Sequence, residues 1–433
     1  MKQFTFSSVP EFLSKTARPV INLDTLIPQV SEILQSVKSG GDTALKQLSE
    51  KFDKVYPDNI KVSETEITEA VNSIPDNLKQ AIELARNNIE KFHQSQLIAN
   101  TVITETAQGV YCWQKSVPVE KIGIYIPGGS APLFSTVLML GVPANLAGSS
   151  EIVLCTPMQK NAKVSAEVLY CAHILGISQI FKIGGAQAIA AMAYGTESVP
   201  QVYKIFGPGN QYVTIAKQLV STSGTAIDMP AGPSELAIIA DDTAIPAFVA
   251  ADLLSQAEHG EDSQVLLLTS SEKLAKAVLS EIDSQLNLLP RKAVAEKAFE
   301  HSCICIVNSV SEAITLSNLW APEHLIIATA NATQLARQVT NAGSVFIGNW
   351  ATESAGDYAS GTNHTLPTNG AAKAYSGLTL DSFMKKITFQ EITQNGIQTI
   401  GPAIELMAQA EQLQAHSNAV TVRLQYLNNN NKE

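Results

Sequence analysis

KIGIYIPGGSAPLFSTVLMLGVPANLAGSSEIVLC, residues 121–155, decides the fold class. KIGIYI is a short apolar run that stops at Pro127, Gly128 and Gly129. LFSTVLMLGVPANLAG follows with helical character, and EIVLC is a second strand. A strand, a glycine turn, a helix and another strand is the unit from which parallel sheets are built. The same alternation runs outward. KVSAEVLYCAHILG reads as a helix, QIFKI leads into GGAQAIAAMAYG, and VYKIF leads into GPGNQYVTIAKQLV. A second series begins near Leu236 with LAIIA, VLLLT, CICIV, HLIIAT and SVFIG, separated by helical stretches such as IPAFVAADLLSQAEHG and ATQLARQVTNAG. Two doubly wound parallel sheets are expected, joined by the Pro- and Gly-rich linker AIDMPAGPSE. Residues 30–100 read as mostly helical, GPAIELMAQAEQLQAHSNAVTVRL as two helices with a turn, and NNNNKE as a polar, frayed tail.

Composition narrows the function class. The 433 residues are 45% hydrophobic, enough for two or three packed domains, and the net charge is −11. No run of Lys and Arg offers a surface for nucleic acid. The opening segment MKQFTFSSVPEFLSKTARPV lacks the apolar core of a signal peptide, and no stretch reaches the roughly 20 apolar residues needed to span a bilayer. The five cysteines, Cys112, Cys155, Cys171, Cys303 and Cys305, are odd in number and lie inside apolar runs. That argues against a disulfide framework and for a reducing cytoplasm.

Three strand ends carry glycine turns: Pro127-Gly128-Gly129, Gly184-Gly185-Ala186-Gln187 and Gly207-Pro208-Gly209-Asn210. Glycine allows close approach of backbone to a ligand, and ligands of open α/β sheets bind beyond the carboxyl ends of strands. None of the turns is GxGxxG. They fit either a nucleotide site or plain strand–helix punctuation.

Other residues point to metal and proton chemistry. Gln256 and His259 in LLSQAEHG are spaced i, i+3 and can share a helix face; the pattern fits a metal site or a helix end capped by histidine. Glu323 and His324 in APEHL place a carboxylate beside an imidazole just before a strand, as an acid–base pair or a helix-end charge pair. The polar run ESAGDYASGTNHTLPT, residues 353–368, reads as a long functional loop containing Asp357 and His364. Glu411 and His416 are spaced i, i+5 and converge only if their helix ends near Ala415. His93, His173 and His301 read as structural or surface residues.

Read together, GIYIPGGSAPLFSTVLML, KIGGAQAIAAMAYGT, GPGNQYV, DMPAGPSE, DLLSQAEHG, APEHL, ESAGDYASGTNHTLPT and EQLQAHSNAV resemble the histidinol dehydrogenase family, in order and over most of the chain. The resemblance implies a zinc-dependent, four-electron oxidation of L-histidinol to L-histidine through histidinaldehyde, with two NAD reduced. It implies one zinc per subunit on Gln256, His259, Asp357 and His416, with His416 from the partner of a homodimer. It makes Glu323 and His324 the acid–base pair and Tyr125, Gln187 and Asn210 the NAD contacts. Ser234, Gln256, His259, His324, Asp357, Glu411 and His416 become the substrate contacts. The expected fold is two incomplete Rossmann-like domains with small helical terminal segments. Residues 1–21 form an N-terminal arm, 22–125 with 236–378 a zinc-bearing catalytic domain, 126–235 an inserted NAD domain, and 379–433 a helical segment facing the partner. A paralogue oxidising another alcohol, such as a sulfonated diol, is the nearest rival; the full set of histidinol contacts disfavours it. A zinc hydrolase would leave the glycine turns without purpose and lacks HExxH. A non-catalytic nucleotide-binding protein would not need the acid–base pair.

Overall fold

A computed structural model describes residues 1–19, 23–53, 57, 59–97, 101–128, 133–159, 162–229 and 232–430. Its strands are β1 (Lys2–Thr5), β2 (Thr104–Ala107), β3 (Val110–Pro118), β4 (Lys121–Tyr125), β5 (Glu151–Cys155), β6 (Gln179–Phe181) and β7 (Lys204–Phe206). They continue with β8 (Ala226–Ile227), β9 (Glu235–Ala240), β10 (Gln264–Thr269), β11 (Cys303–Ile306), β12 (His324–Ala328), β13 (Ser344–Ile347) and β14 (Met384–Ile392). Among the described residues no helix is long and apolar enough to cross a membrane.

The chain divides into two units, Met1–Gln96 with Val119–Phe383, and Leu97–Pro118 with Met384–Glu433. The first unit holds two parallel sheets, one ordered β6-β5-β4-β7-β8 and one ordered β1-β11-β10-β9-β12-β13. Counted from β4 and from β9, both follow the doubly wound order 3-2-1-4-5, with β1 added at the edge of the larger sheet. This agrees with the expected α/β class. Alternate residues of the larger sheet enter opposite cores. Leu236, Ile238, Val265, Leu267 and Ile326 lie on one face, and Ala237, Ile239, Leu266, Leu268 and Leu325 on the other. Both faces are covered, which is why these strands read as unbroken apolar runs.

Local chemistry sets several helix starts. Ser63 accepts the Glu66 N–H at 3.2 Å while Glu66 accepts the Ser63 N–H at 2.9 Å, a capping box that opens the helix Glu64–Ser73. Asn210 caps the helix Gln211–Ser221, its Oδ1 accepting from Tyr212 and Val213 at 3.1 and 3.2 Å.

The second unit pairs β14, β3 and β2 in an antiparallel sheet, followed by the helices Gln394–Ala410 and Gln414–Asn430.

The division differs from the expected one in four places. β4 is the central strand of the smaller parallel sheet rather than part of a domain running from 22 to 125. Residues 2–5 of the expected arm are an edge strand of the larger sheet, paired with β11. The segment 379–433 is not wholly helical, because β14 occupies Met384–Ile392. The polar run 353–368 is not all loop, because Glu353–Tyr358 forms a short helix. The linker 226–235 does run from one parallel sheet to the other, β8 to β9. Gly129, Pro230, Ala231, the expected boundary at 21 and 22, and tail residues 431–433 lie outside the described residues.

Candidate active site

β9 and β12 are parallel neighbours, with His324 opposite Leu236, so their amino ends lie side by side. Ser234, Glu235, Glu323 and His324 are therefore gathered at one edge of the larger sheet by topology alone. The main chain of Glu235 organises this edge. Its N–H donates to Glu323 Oε2 at 2.9 Å, and its carbonyl oxygen lies 3.3 Å from His324 Nδ1. A carbonyl only accepts, so it places the proton on Nδ1 and leaves Nε2 with a lone pair. Nε2 points to Asp357, 3.7 Å from Oδ1. With its amide turned so that the NH2 group meets acceptors, Gln256 donates to the same Glu235 carbonyl at 3.3 Å and to Glu353 Oε1 at 3.1 Å, and that nitrogen also lies 3.3 Å from His324 Nδ1.

The Glu235 side chain is itself clamped. Its carboxylate is 2% exposed and meets Arg18 in a two-point pair, Nε to Oε1 at 2.6 Å and Nη2 to Oε2 at 2.8 Å. Asn369 N–H donates to Oε1 at 2.6 Å. Arg18 also donates to Trp320 O at 2.8 Å and lies over the Trp320 ring at 4.4 Å. The N-terminal segment thus braces the start of β9.

A metal-sized cluster adjoins this edge. His259, Glu353 and Asp357 bring one ligand atom each within 4.8 Å of one another. The helix Pro246–Ala257 ends before His259, which corrects the shared-helix-face expectation. Gln256 sits in the last helical turn and His259 beyond it, where its N–H meets Gln256 O at 3.3 Å. Glu353 and Asp357 are spaced i, i+4 on their short helix and face the same way. Glu353 Oε2 is buried without a hydrogen-bond partner among the described residues.

The electrostatics fit a bound cation. Burial pushes Glu323 and Glu353 well above the usual carboxylate range, and the neighbouring acids reinforce both shifts. Burial raises Asp357 to about 7 and Asp252 to about 6. Burial also lowers His324 to about 3 and His364 to about 4, with His259 adding to both shifts. Crowded carboxylates and neutral imidazoles in a buried site form an N/O donor set that a divalent metal would stabilise. His364 supports Asp357 from behind, with Nδ1 at 3.0 Å from Asp357 O and Nε2 at 3.1 Å from Thr136 Oγ1.

The nucleotide candidates lie at the carboxyl edge of the smaller sheet. Its switch point is between β4 and β7, where the chain leaves in opposite directions. Tyr125 ends β4, and its buried hydroxyl accepts the Gly185 N–H at 3.0 Å. Burial pushes that phenol up to about 12. Gly207 follows β7 with φ 127, and a Cβ there would stand 2.1 Å from Tyr125 O. Only glycine permits that approach. Gln187 is buried in the first turn of the helix Gly185–Tyr194. Gly128 and Asn210 line two cavities, one of about 670 Å³ bordered by Tyr125 and Gln187, the other of about 710 Å³ bordered by Ser234 and His259. A smaller one, about 150 Å³, shares Pro208, Gly209, Gly232 and Ser234 with the second and reaches Glu323. Neighbouring cavities thus share lining residues all the way from the glycine turns to Glu323.

Ser234, Gln256, His259, Glu323, His324 and Asp357 thus converge within one unit. Glu411 and His416 lie in the other. Glu411 caps the helix ending at Ala410, Gln412 turns left-handed at φ 60, and His416 is in the first turn of the next helix. The break falls several residues before Ala415. The sequence reading missed Glu353, whose signal was its spacing from Asp357, and missed Glu235 and Arg18. All five cysteines are free, and burial raises Cys155, Cys171, Cys303 and Cys305, with Cys171 and Cys305 reaching about 12. Such thiols are poor nucleophiles.

The family model described as histidinol dehydrogenase matches residues 16–424. The histidinol dehydrogenase of Bacteroides thetaiotaomicron is 57% identical over 427 residues, spanning 99% of this chain and 100% of that protein. The one from Yersinia pestis is 51% identical, spanning 95% of this chain and 93% of that protein. The crystal structure of histidinol dehydrogenase from Elizabethkingia anophelis superposes with a TM-score of 0.96 at 54% identity, covering 99% of both chains.

Proposed function

The chain belongs to the histidinol dehydrogenase family, and on that premise we propose that it oxidises L-histidinol to L-histidine through histidinaldehyde, reducing two NAD at a zinc-dependent site. The observation that carries the reading is the series of cavities, each sharing lining residues with the next, that runs from the glycine turns of β4 and β7 to Glu323. The smaller sheet is the nucleotide-binding half and the larger sheet the catalytic half.

Gln256, His259 and Asp357 would hold the zinc, with His416 supplied by a second copy of the chain. The donor set fits: one imidazole, one carboxylate and one amide oxygen, all N/O ligands suited to a borderline metal. Glu353 acts one step behind. By accepting the Gln256 N–H at 3.1 Å it turns the amide oxygen the other way, as second-layer carboxylates orient metal ligands elsewhere. Bound zinc would fix the amino and imidazole nitrogens of the substrate, and NAD would supply the hydride acceptor.

The chain's own groups handle the protons. His324, held by the Glu235 carbonyl through Nδ1, takes the carbinol proton at Nε2. Burial keeps that ring neutral, so Nε2 has a free lone pair for the proton. Glu323 keeps one oxygen on the Glu235 N–H and uses the other to activate the water that adds to the aldehyde. Its raised pKa makes it a strong base once ionised. Ser234 and, from the second copy, Glu411 would position the substrate; Tyr125, Gln187 and Asn210 would contact NAD. Asn210 spends its Oδ1 on the helix cap, which leaves its NH2 group to donate.

The test is the yield of NADH per histidinol consumed, with and without a strong chelator. Two NADH, and loss of turnover on metal removal restored by added zinc, is the expected result. One NADH, or full activity in the metal-stripped protein, overturns the reading.

A further inference from the structure

The 670 Å³ cavity, which does not include Glu323 or His324, contains a carboxylate with no part in the chemistry so far. Asp53 lies just past the helix Leu23–Phe52 and lines the 670 Å³ cavity with Tyr125, Gln187 and Asn210. Asp53 is exposed on the cavity wall, its Oδ2 is 3.5 Å from Gln187 Nε2, and partial desolvation raises its carboxyl. Among the described residues the other charged groups on this cavity are Glu32 and Lys51, and Lys51 lies over the Phe52 ring at 5.2 Å.

Direction along the cavity path assigns its ends. The reacting end of a dinucleotide must reach the His259 and Glu323 side, so the adenosine half is left for the cavity around Asp53. In common dinucleotide-binding sheets an acidic residue after the second strand holds the adenosine ribose diol. Here the second strand is β5, and Thr156, Pro157, Met158 and Gln159 follow it, none of them acidic. The carboxylate arrives instead from a helix outside the sheet.

Resting on the reading above for the identity of the coenzyme, we propose that Asp53 binds the ribose hydroxyls of the adenosine half and selects NAD over NADP. The carboxylate accepts from the 2′-hydroxyl and, on NADP, faces a phosphate of like charge. Gln187 donates to Asp53 and holds it in place.

The test compares NAD, NADP and NAD lacking the adenosine 2′-hydroxyl as coenzymes for the zinc-loaded enzyme with histidinol, in the native chain and in Asp53→Asn. A charge-assisted hydrogen bond corresponds to about 10- to 100-fold in affinity. The native enzyme is expected to lose about 10-fold or more in kcat/KM with the deoxy coenzyme, and more with NADP. Asp53→Asn is expected to narrow the NAD-to-NADP ratio by about 10-fold or more, through coenzyme KM, with histidinol KM unchanged. The inference is overturned if the native enzyme uses the deoxy coenzyme as well as NAD, a result that does not depend on the variant folding. It is also overturned if Asp53→Asn leaves the ratio within about twofold. Failure of the underlying reading looks different: no coenzyme is reduced by the native enzyme with histidinol.

Discussion

Replacing Arg18 with methionine strands Glu235. The carboxylate is 2% exposed and, among the described residues, would retain only the Asn369 N–H at 2.6 Å, having lost both Arg18 bonds. Arg18 is 18% exposed, so the pair is close to the buried limit. Breaking such a pair from one side costs about 3–5 kcal/mol. The carboxyl escapes part of that by taking up a proton, at about 1.4 kcal/mol per unit of pKa shift. Burial already raises the Glu235 pKa above 4.5 against the pull of Arg18, and removing Arg18 raises it further. A raised acid pKa favours the protonated form in the folded chain. The penalty is therefore absent below 4.5, grows as pH rises through the folded-state value, and is largest at neutral pH. Urea unfolding of the native chain, Arg18→Met, Glu235→Gln and the double variant at pH 7 and pH 5 reads all of this. The expected coupling energy at pH 7 is on the order of 2–3 kcal/mol, shrinking at pH 5. A loss below about 1 kcal/mol for Arg18→Met, or additive single effects, refutes the argument that this pair braces the start of β9.

Glu323→Gln should slow aldehyde oxidation by at least about 10-fold more than alcohol oxidation, because only the second step consumes water; single-turnover NADH formation from each substrate checks it, and equal losses remove the water-activating role. His416→Asn should lower zinc retention under dialysis by about 10- to 100-fold. Mixing inactive His416→Asn and His259→Asn chains should restore about a quarter of native activity, since half of randomly formed dimers are hybrids with one intact site of two; no recovery would argue against a site shared between copies. His93 is fully buried, with Nδ1 2.8 Å from Ile89 O, and burial lowers its pKa from 6.5. A lowered imidazole pKa costs stability only once the unfolded chain is protonated, so His93→Gln should flatten the fall in stability as pH drops below 6.5, measured by urea midpoints; an unchanged slope would mean that His93 titrates normally.

The parallel sheets were legible because burial on both faces leaves apolar runs such as LAIIA and VLLLT. Gln256, His259, Glu323 and His324 were legible because each stands in a short segment at the end of a helix or the start of a strand. The antiparallel sheet was not, because β3 pairs with β14 across most of the chain, and neither strand has an apolar face long enough to announce it. Glu353 was hidden by a polar, glycine-bearing run that reads as loop yet folds into a helix barely longer than one turn. Glu235 was invisible for a deeper reason: it organises the site through its N–H and carbonyl, groups that nearly every residue has. Arg18 acts at a distance that no local pattern spans.

That distance also sets an order of events during biosynthesis. Lys2 pairs with Cys303 and Thr5 with Ile306, so β1 has no partner until β11, about 300 residues later, has been made. At roughly 5–20 residues per second, a ribosome takes on the order of 15–60 s to deliver Cys303 after Lys2. For that interval Phe12, wholly buried in the finished protein, has no core to enter. Arg18 must likewise wait for Glu235. The brace of the active site is thus a late docking event. A nascent chain in this state offers the apolar segment around Phe12 to chaperones and proteases well before it has anything to catalyse.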